Sequence, residues 1–481
     1  MRQTGAGLLL TSPTFGVLQA LAVVEHELLL FAAFWFAVGA VDEMLVDGMW
    51  LWLRFSGWAR TARLQADRTE ELAGIAAVLV PAWRESAVIG AMVRHCLESW
   101  PQGGLRLYVG VYRNDEQTLA VLTALGCDPR LRVVLHDRDG PTTKADCLNR
   151  LYRAMCDDER RTGERARCLI LHDAEDMVHP AALSLMDEAI GRADLVQLPV
   201  RAEPQGLSPW IAGHYCDEFA EAHAKDMVVR NWLGAGLPSA GVGCAFSRRA
   251  IDRILARRGG GDPFAAECLT EDYEAGLLVS ETGGKALFLR VRDRQGALVA
   301  TREFFPATLA SSVRQKTRWL HGIAFQGWDR LGWSGKPCDL WMRVRDRRGP
   351  MVALVLTAAY SLVALWPVVR IAEAAGAIAP LPADPVVAKL LAINLLSFLW
   401  RLLLRFCFTT REFGWVEGLR SIFRFPVGNV IAIMAGRRAL VAYLRVLLGG
   451  KVRWEHTIHL AHPAALCRLT GRASQPATAR G

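Results

Sequence analysis

The sequence predicts an α/β fold: a mostly parallel sheet covered by helices on both faces, carried between membrane-associated helices at either end of the chain. Three observations predict it. From residue 74 to about residue 200, near-continuous apolar runs of strand length alternate with stretches of helical periodicity. Long apolar runs crowd the two ends of the 481-residue chain and leave the middle free. And LILHDAEDMVHP (169–180) drives an apolar strand straight into three carboxylates, Asp173, Glu175 and Asp176.

The elements follow in order. ELLLFAAFWFAVGAV (27–41), extended upstream by FGVLQALAVV, is too long and wrongly flanked for a cleaved signal peptide and reads as a span. The Trp-rich MLVDGMWLWLRF next to it suits a separate interfacial or re-entrant piece. Then come GIAAVLVPA, LRLYVGVY, LRVVLHD, CLILHD and ADLVQLPV as strands. Between them SAVIGAMVRHCLESW, EQTLAVLTALG, KADCLNRLYRAM and AALSLMDEAI read as helices. Apolar strands that do not alternate with polar residues belong to a sheet buried on both faces, typically parallel. Segments 351–369 and 387–408 are each near spanning length. VIAIMAGRRALVAYLRVLL (430–448) carries Arg437, Arg438 and Arg445, so it is expected to lie in the headgroup region rather than cross. The divisions are 1–60 (membrane helices), 70–325 (the α/β domain), 326–450 (membrane and interfacial helices) and 451–481 (a partly disordered tail).

Composition narrows the class. The chain is 52% hydrophobic with a net charge of +9. No Lys/Arg tract is interleaved with aromatics and no zinc-finger spacing occurs, so nucleic acid is not an expected partner; an anionic bilayer face or a phosphorylated substrate is. Its 11 cysteines are scattered without a C-x-x-C pair, as in a reducing compartment. His26, His95, His136, His179, His214 and His223 form no metal-ligand spacing. Arg314, Lys316, Arg318, Arg330, Lys336, Arg343, Arg345, Arg347 and Arg348 precede the later spans, whereas 370–386 carries only Arg370. The positive-inside rule places the α/β domain in the cytoplasm and 370–386 outside.

In open α/β sheets ligands bind beyond the carboxyl ends of the strands. The acidic cluster, Pro81–Glu85 and Asn114–Asp115 all fall at such ends. Clustered carboxylates at a buried strand end repel unless a cation compensates; a solvated turn is the alternative reading.

The motifs, taken together and in order, resemble those of family 2 glycosyltransferases of the nucleotide-diphospho-sugar type, the GT-A fold. VPAWRE (80–85) is similar to the first-strand motif that holds base and ribose, which implicates Pro81, Trp83 and Glu85. TKADCLN (143–149) resembles K-A-G-x-L-N, with Asp146 in place of the usual Gly, and implicates Lys144 and Asp146. DAED (173–176) resembles the D-x-D metal motif, with Glu175 where the second Asp is usual. TED (270–272) resembles the motif carrying the general base, and QKTRW (315–319) matches the Q-x-x-R-W of membrane-embedded polysaccharide synthases. Within this group the chain is most similar to the glycosyltransferase part of the bacteriophage adsorption protein B family. HDAED, GPTTKADCLN and the late KVRWEHTIH carry that likeness. That family often has a C-terminal nucleotide-sensing domain; only about thirty residues come after Lys451 here, and regulation through such a domain is expected to be absent or on a partner.

The resemblance implies a specific chemistry. Charge builds on the departing diphosphate, and Mg²⁺ or Mn²⁺ held by Asp173, Glu175 and Asp176 would stabilise it. Asp272 is the expected base for the acceptor hydroxyl, with Glu271 and Glu274 as local alternatives. TED also reads simply as a helix start, with Thr270 as N-cap and acidic residues in the first turn. Gln315, Arg318 and Trp319 share a helix face and would meet sugar and phosphate, though Trp and Arg also serve as plain interfacial anchors. Asp115 joins the nucleotide-binding set by its strand-end position. The expected protein is an inverting enzyme of a bacterial inner membrane, multi-pass, that moves sugar from a UDP-linked donor onto a surface or secreted polysaccharide, with an outer-membrane export partner. Transfer of one sugar to a polyprenyl-phosphate carrier is the alternative reading, and a non-catalytic membrane receptor or scaffold is the second.

Overall fold

The computed structural model describes residues 13–66, 68, 70–380, 384–450 and 461–464. The tail expectation falls outside these residues apart from 461–464, and KVRWEHTIH (451–459) lies outside them entirely.

Helix α1 (Pro13–Phe55) is followed by the short strand β1 (Ala62–Arg63). The α/β domain runs β2 (Ile75–Pro81), α2 (Ile89–Ser99), β3 (Leu105–Tyr112), α3 (Glu116–Thr123), β4 (Leu131–His136), α4 (Lys144–Thr162), β5 (Ala166–Leu171) and α5 (Ala182–Ile190). It continues through β6 (Leu195–Gln197), β7 (Val200–Ala202), α6 (Ile211–Ala224), α7 (Asp226–Trp232), β8 (Cys244–Ser247), α8 (Arg248–Arg257) and α9 (Glu271–Glu281). Strands β9 (Ala286–Phe288), β10 (Val291–Arg292) and β11 (Thr301–Glu303) lead to α10 (Leu309–Leu320). A π-helical turn (His321–Gln326), α11 (Gly327–Leu331), α12 (Pro337–Arg347), α13 (Gly349–Ala374), α14 (Pro385–Phe413) and α15 (Trp415–Leu447) complete it.

The seven-stranded sheet has the order β4-β3-β2-β5-β8-β6-β9. Only β8 runs antiparallel to its neighbours. Side chains on a strand alternate between faces, and here both faces are apolar. Val78, Val80, Leu107, Val109 and Ile170 pack with α2 and α5, while Ala77, Leu79, Leu169 and Leu171 pack with α4, α8 and α9. That two-sided burial is why these strands read as continuous apolar runs. Strand β8 has four residues, too few for any periodicity to announce it.

Among the described residues, three helices are long and apolar enough to cross a membrane: Gly16–Phe55, Gly349–Ala374 and Pro385–Phe413. The first corrects an expectation. The Trp-rich stretch 44–55 is not a separate re-entrant piece but the end of one continuous helix. At 1.5 Å per residue α1 is about 65 Å long, twice the hydrocarbon thickness. Its Asp42, Glu43 and Asp47 look like a break, yet each meets a cation. Asp42 pairs with Arg345 and Arg348, Glu43 with the same two arginines, and Asp47 with Lys225 at 2.8 Å. Glu25, the odd charge in the apolar part, accepts from Arg370 of α13 at 3.1 Å.

Helix α15 lies across its neighbours. Gly418 packs on Thr410, Phe425 on Phe398, Asn429 on Tyr360, Gly436 on Ala353, and Tyr443 donates to Asp329. It therefore touches α14, then α13, then the segment after α10. Arg424, wholly buried, pairs with Asp217 of α6 at 2.9 Å. The 430–448 stretch is thus the second half of a 33-residue helix bound on one side to the α/β domain.

Candidate active site

A cavity of about 420 Å³ opens at the carboxyl ends of β2, β3 and β5 and is closed by α10. Pro81, Trp83, Glu85, Lys144, Asp173, Glu175, Asp272, Gln315, Arg318 and Trp319 all line it. Residues from five stretches separated by up to 238 positions are brought to one cavity, as the strand-end rule requires.

The acidic turn divides its labour. Asp173 and Glu175 face the cavity. Asp176 does not: it is fully buried, receives the backbone N–H of Asp173 at 2.9 Å, and lies 2.6 Å from His172 Nδ1. Its expected place among the metal ligands is therefore corrected: its Oδ2 folds the turn that presents Asp173, and its Oδ1 is buried without a hydrogen-bond partner. Lys144 Nζ sits 2.6 Å from Asp173 Oδ1. Burial alone would pull that ammonium down, but Asp173, Glu271 and Asp272 outweigh it and hold it above the usual lysine range. Glu303 at the end of β11 completes the wall. Burial, then the nearby Asp176, Glu175 and Asp173, push its carboxyl well above the ordinary range.

These residues fit a divalent cation of the hard, oxygen-seeking kind. Among the described residues no three His, Cys, Asp or Glu side chains form a ligand set. Two open carboxylates instead leave most of the coordination shell to water and ligand phosphate, the usual Mg²⁺ or Mn²⁺ arrangement. One lysine against Asp173 and Glu175 leaves negative charge in excess, which such a cation would balance.

Asp272 lines the same cavity from the first turn of helix α9. Its Oδ1 receives the Tyr273 N–H at 2.7 Å. Burial raises its carboxyl above the usual range, and Lys144 partly offsets this. Glu271 is buried behind it, away from the cavity, and is pushed up to about 7 by burial and by Asp272. Glu274 is engaged by Arg258 and Arg330. Of the three carboxylates only Asp272 reaches the cavity, so Glu271 is corrected as a candidate. Thr270 is the N-cap of α9 with Glu271, Asp272 and Glu274 in the first turn, as the helix-start reading expects, although its side chain makes no capping bond.

Gly241 explains how Asp272 fits. Its φ is +75°, and a Cβ there would stand 2.3 Å from Asp272 Oδ2. Gly241→Ala is expected to lower kcat by at least about tenfold, since small displacements of a reacting group are costly, with added strain of about 1–2 kcal/mol from the left-handed backbone. Turnover measured beside a thermal melt separates the two effects.

Two expected nucleotide contacts do not reach the cavity. Asp115 caps α3, its Oδ1 accepting from Thr118 N at 3.3 Å and its Oδ2 from Arg84 N at 2.5 Å. Asp146 turns to His136 at 3.5 Å and Arg138 at 3.6 Å. In their stead stands Tyr112, edge-on to Trp83 at 5.1 Å and stacked on His136. Gly140 lies directly on Trp83: a Cβ there would be 2.3 Å from the indole.

Sequence reasoning also missed Gln197 and Glu303. Gln197 ends β6, accepts from Ala240 N at 2.8 Å and donates to Val242 O at 3.0 Å, fixing the loop that carries Gly241. Its strand-end position could have found it. Glu303 ends a three-residue strand with no motif around it. On α10, Gln315, Arg318 and Trp319 face the cavity, while Lys316 points away to Glu218. Trp319 meets Tyr215 and Phe305 edge-on at 6.2 and 6.3 Å.

Comparison with known proteins places this site in context. A model of the family described as "Glycosyltransferase like family 2" matches residues 73–322. Bacteriophage adsorption protein B of Escherichia coli K12 and bacteriophage N4 adsorption protein B of Escherichia coli O157:H7 are each 34% identical over 412 residues, covering 80% of this chain and 54% of theirs. The chain spans about half the length of the curated relatives it matches. Among solved structures, the mannosyltransferase PcManGT from Pyrobaculum calidifontis, in complex with GDP-Man and Mn²⁺, superposes with a TM-score of 0.51 at 15% identity. That match covers 88% of this chain and 99% of that one, a likeness of fold.

Proposed function

Because the chain belongs to the family 2 glycosyltransferases, whose family model spans half of it, we propose that it is an inverting, metal-dependent membrane enzyme that transfers sugar from a nucleoside-diphosphate donor onto a growing surface or secreted polysaccharide. The observation that carries this is the convergence of Asp173, Glu175, Lys144, Asp272, Gln315, Arg318 and Trp319 on one cavity. Trp83 and Tyr112 offer aromatic walls for a base, and a UDP-linked donor is the expected one.

Asp173 and Glu175 would hold Mg²⁺ or Mn²⁺, which supplies charge neutralisation for the departing diphosphate. Lys144 adds a fixed positive charge beside them. Asp272, in the same cavity, takes the proton of the acceptor hydroxyl as that oxygen attacks the anomeric carbon. Attack from the side opposite the diphosphate inverts that centre. Trp319 presents a flat face to a sugar ring, and Arg318 a fork suited to phosphate oxygens. A chain made in repeated rounds favours such an acceptor platform over single transfer to a lipid. Incubating purified protein with the donor and sizing the product on a gel tests this. A ladder of long products is expected; a single sugar on a lipid would contradict the polymer reading.

The α/β domain is proposed to face the cytoplasm of an inner membrane crossed by α1, α13 and α14, with an outer-membrane partner for export. In cells expressing a variant without native thiols, an impermeant maleimide is expected to label a cysteine placed at 380 and to miss one placed at 160. The reverse pattern would refute the orientation.

A further inference from the structure

The helix that carries Q-x-x-R-W does not end in an ordinary way. At His321 it passes into a π-helical turn, His321–Gln326. Such turns are rare and concentrate at functional sites, because the extra residue re-aims the next stretch of helix. Here the turn presses on the loop that leads into Asp272. A Cβ on Gly322 would lie 2.5 Å from Thr270 Oγ1 and 2.6 Å from its Cγ2. Gln326 grips the same loop from one turn further on: its Oε1 accepts from Leu269 N at 2.9 Å and its Nε2 donates to Glu267 O at 3.3 Å. Ile323, between them, lines the cavity, as do Thr270 and Asp272. The far side of the turn is anchored too. Arg347 of α12 donates to Gly327 O at 2.6 Å, and Tyr273 reaches Asp346 of the same helix at 2.9 Å.

We propose that Gln326 is a positioning residue for Asp272. Through its two bonds to the 267–269 backbone it sets the start of α9, and it makes the wall bearing Gln315, Arg318 and Trp319 keep register with the Asp272 carboxylate. The inference rests on the reading of Asp272 as the base. A side chain that only stabilised the fold would lower the amount of active enzyme. One that aims a reacting group changes the turnover of every molecule while donor binding at Asp173 and Lys144 stays intact.

The test uses the full chain in nanodiscs and reads nucleoside-diphosphate release at saturating donor. Gln326→Ala is expected to lower kcat between about 10- and 100-fold, the scale of a misplaced reacting group, with donor KM unchanged. Gln326→Glu keeps the acceptor for Leu269 N and is expected to recover most of that loss. In an Asp272→Asn background the same Gln326→Ala change is expected to cost nothing more, because groups acting as one unit are not additive. A donor KM that rises in step with the loss, or a full second loss in the Asp272→Asn background, would overturn the assignment. Asp272→Asn at wild-type turnover would instead overturn the base reading itself. The two failures are distinct, since only the second shows in the Asp272 variant alone.

Discussion

Asp173→Asn is expected to reduce turnover by about 10²–10³-fold or more, the scale at which one preorganised group facing developing charge is felt, while the protein stays folded in its membrane. The substitution keeps shape and removes charge. It takes away one of two carboxylates open to the cavity and the partner of Lys144 at 2.6 Å. Nucleoside-diphosphate release before and after EDTA, with Mn²⁺ or Mg²⁺ restored afterwards, checks the companion expectation that wild-type activity is lost and regained. Asp176→Asn should behave differently. Its carboxyl holds the turn through Asp173 N and His172, so it is expected to lower thermal stability along with activity. Full activity in EDTA, or an Asp173→Asn enzyme as fast as wild type, would contradict the assignment.

Asp272→Asn is the second large effect, a fall in kcat of about 10²–10⁴-fold, the usual worth of a general base, with donor affinity retained. Glu271→Gln is the control: Glu271 is buried behind the wall and touches no part of the cavity. The pH profile supplies an independent sign. Burial holds the Asp272 carboxyl above its ordinary value, so the proton stays on to higher pH than in water and the base form is scarce on the acid side. Activity is expected to rise with pH across that limb and then level, and the limb should vanish in whatever residual activity Asp272→Asn retains. Glu271 as the true base would reverse the ranking of the two variants.

Most of the site was legible in the sequence because its residues sit where topology alone sends them. Pro81, Asp173 and Glu175 lie at the ends of apolar runs that had to be buried strands, and parallel strands present their carboxyl ends together. Gln315, Arg318 and Trp319 share a face by helical spacing. The failures have local reasons. Asp115, Asp146 and Asp176 carry the right chemistry, but each is turned from the cavity toward a neighbour: a helix N-terminus, a histidine, the turn's own backbone. A sequence shows a carboxylate and not which way it points. Glu303 escaped because β11 has three residues and its pairing with β7 is long-range. The 43-residue α1 reads as two pieces because its Asp42, Glu43 and Asp47 look like a break; the arginines and lysine that satisfy them lie about 180–300 positions away and no local pattern reveals them.

The most direct test of the central claim is to supply detergent-purified protein with Mn²⁺, acceptor glycan and a panel of nucleoside-diphosphate sugars, and to follow release of the free nucleoside diphosphate for wild type and Asp272→Asn side by side. At least one donor, expected among the UDP-sugars, should be turned over by the wild type, and release should collapse in the variant while donor still binds. Release from no donor, or equal release from both proteins, would contradict it.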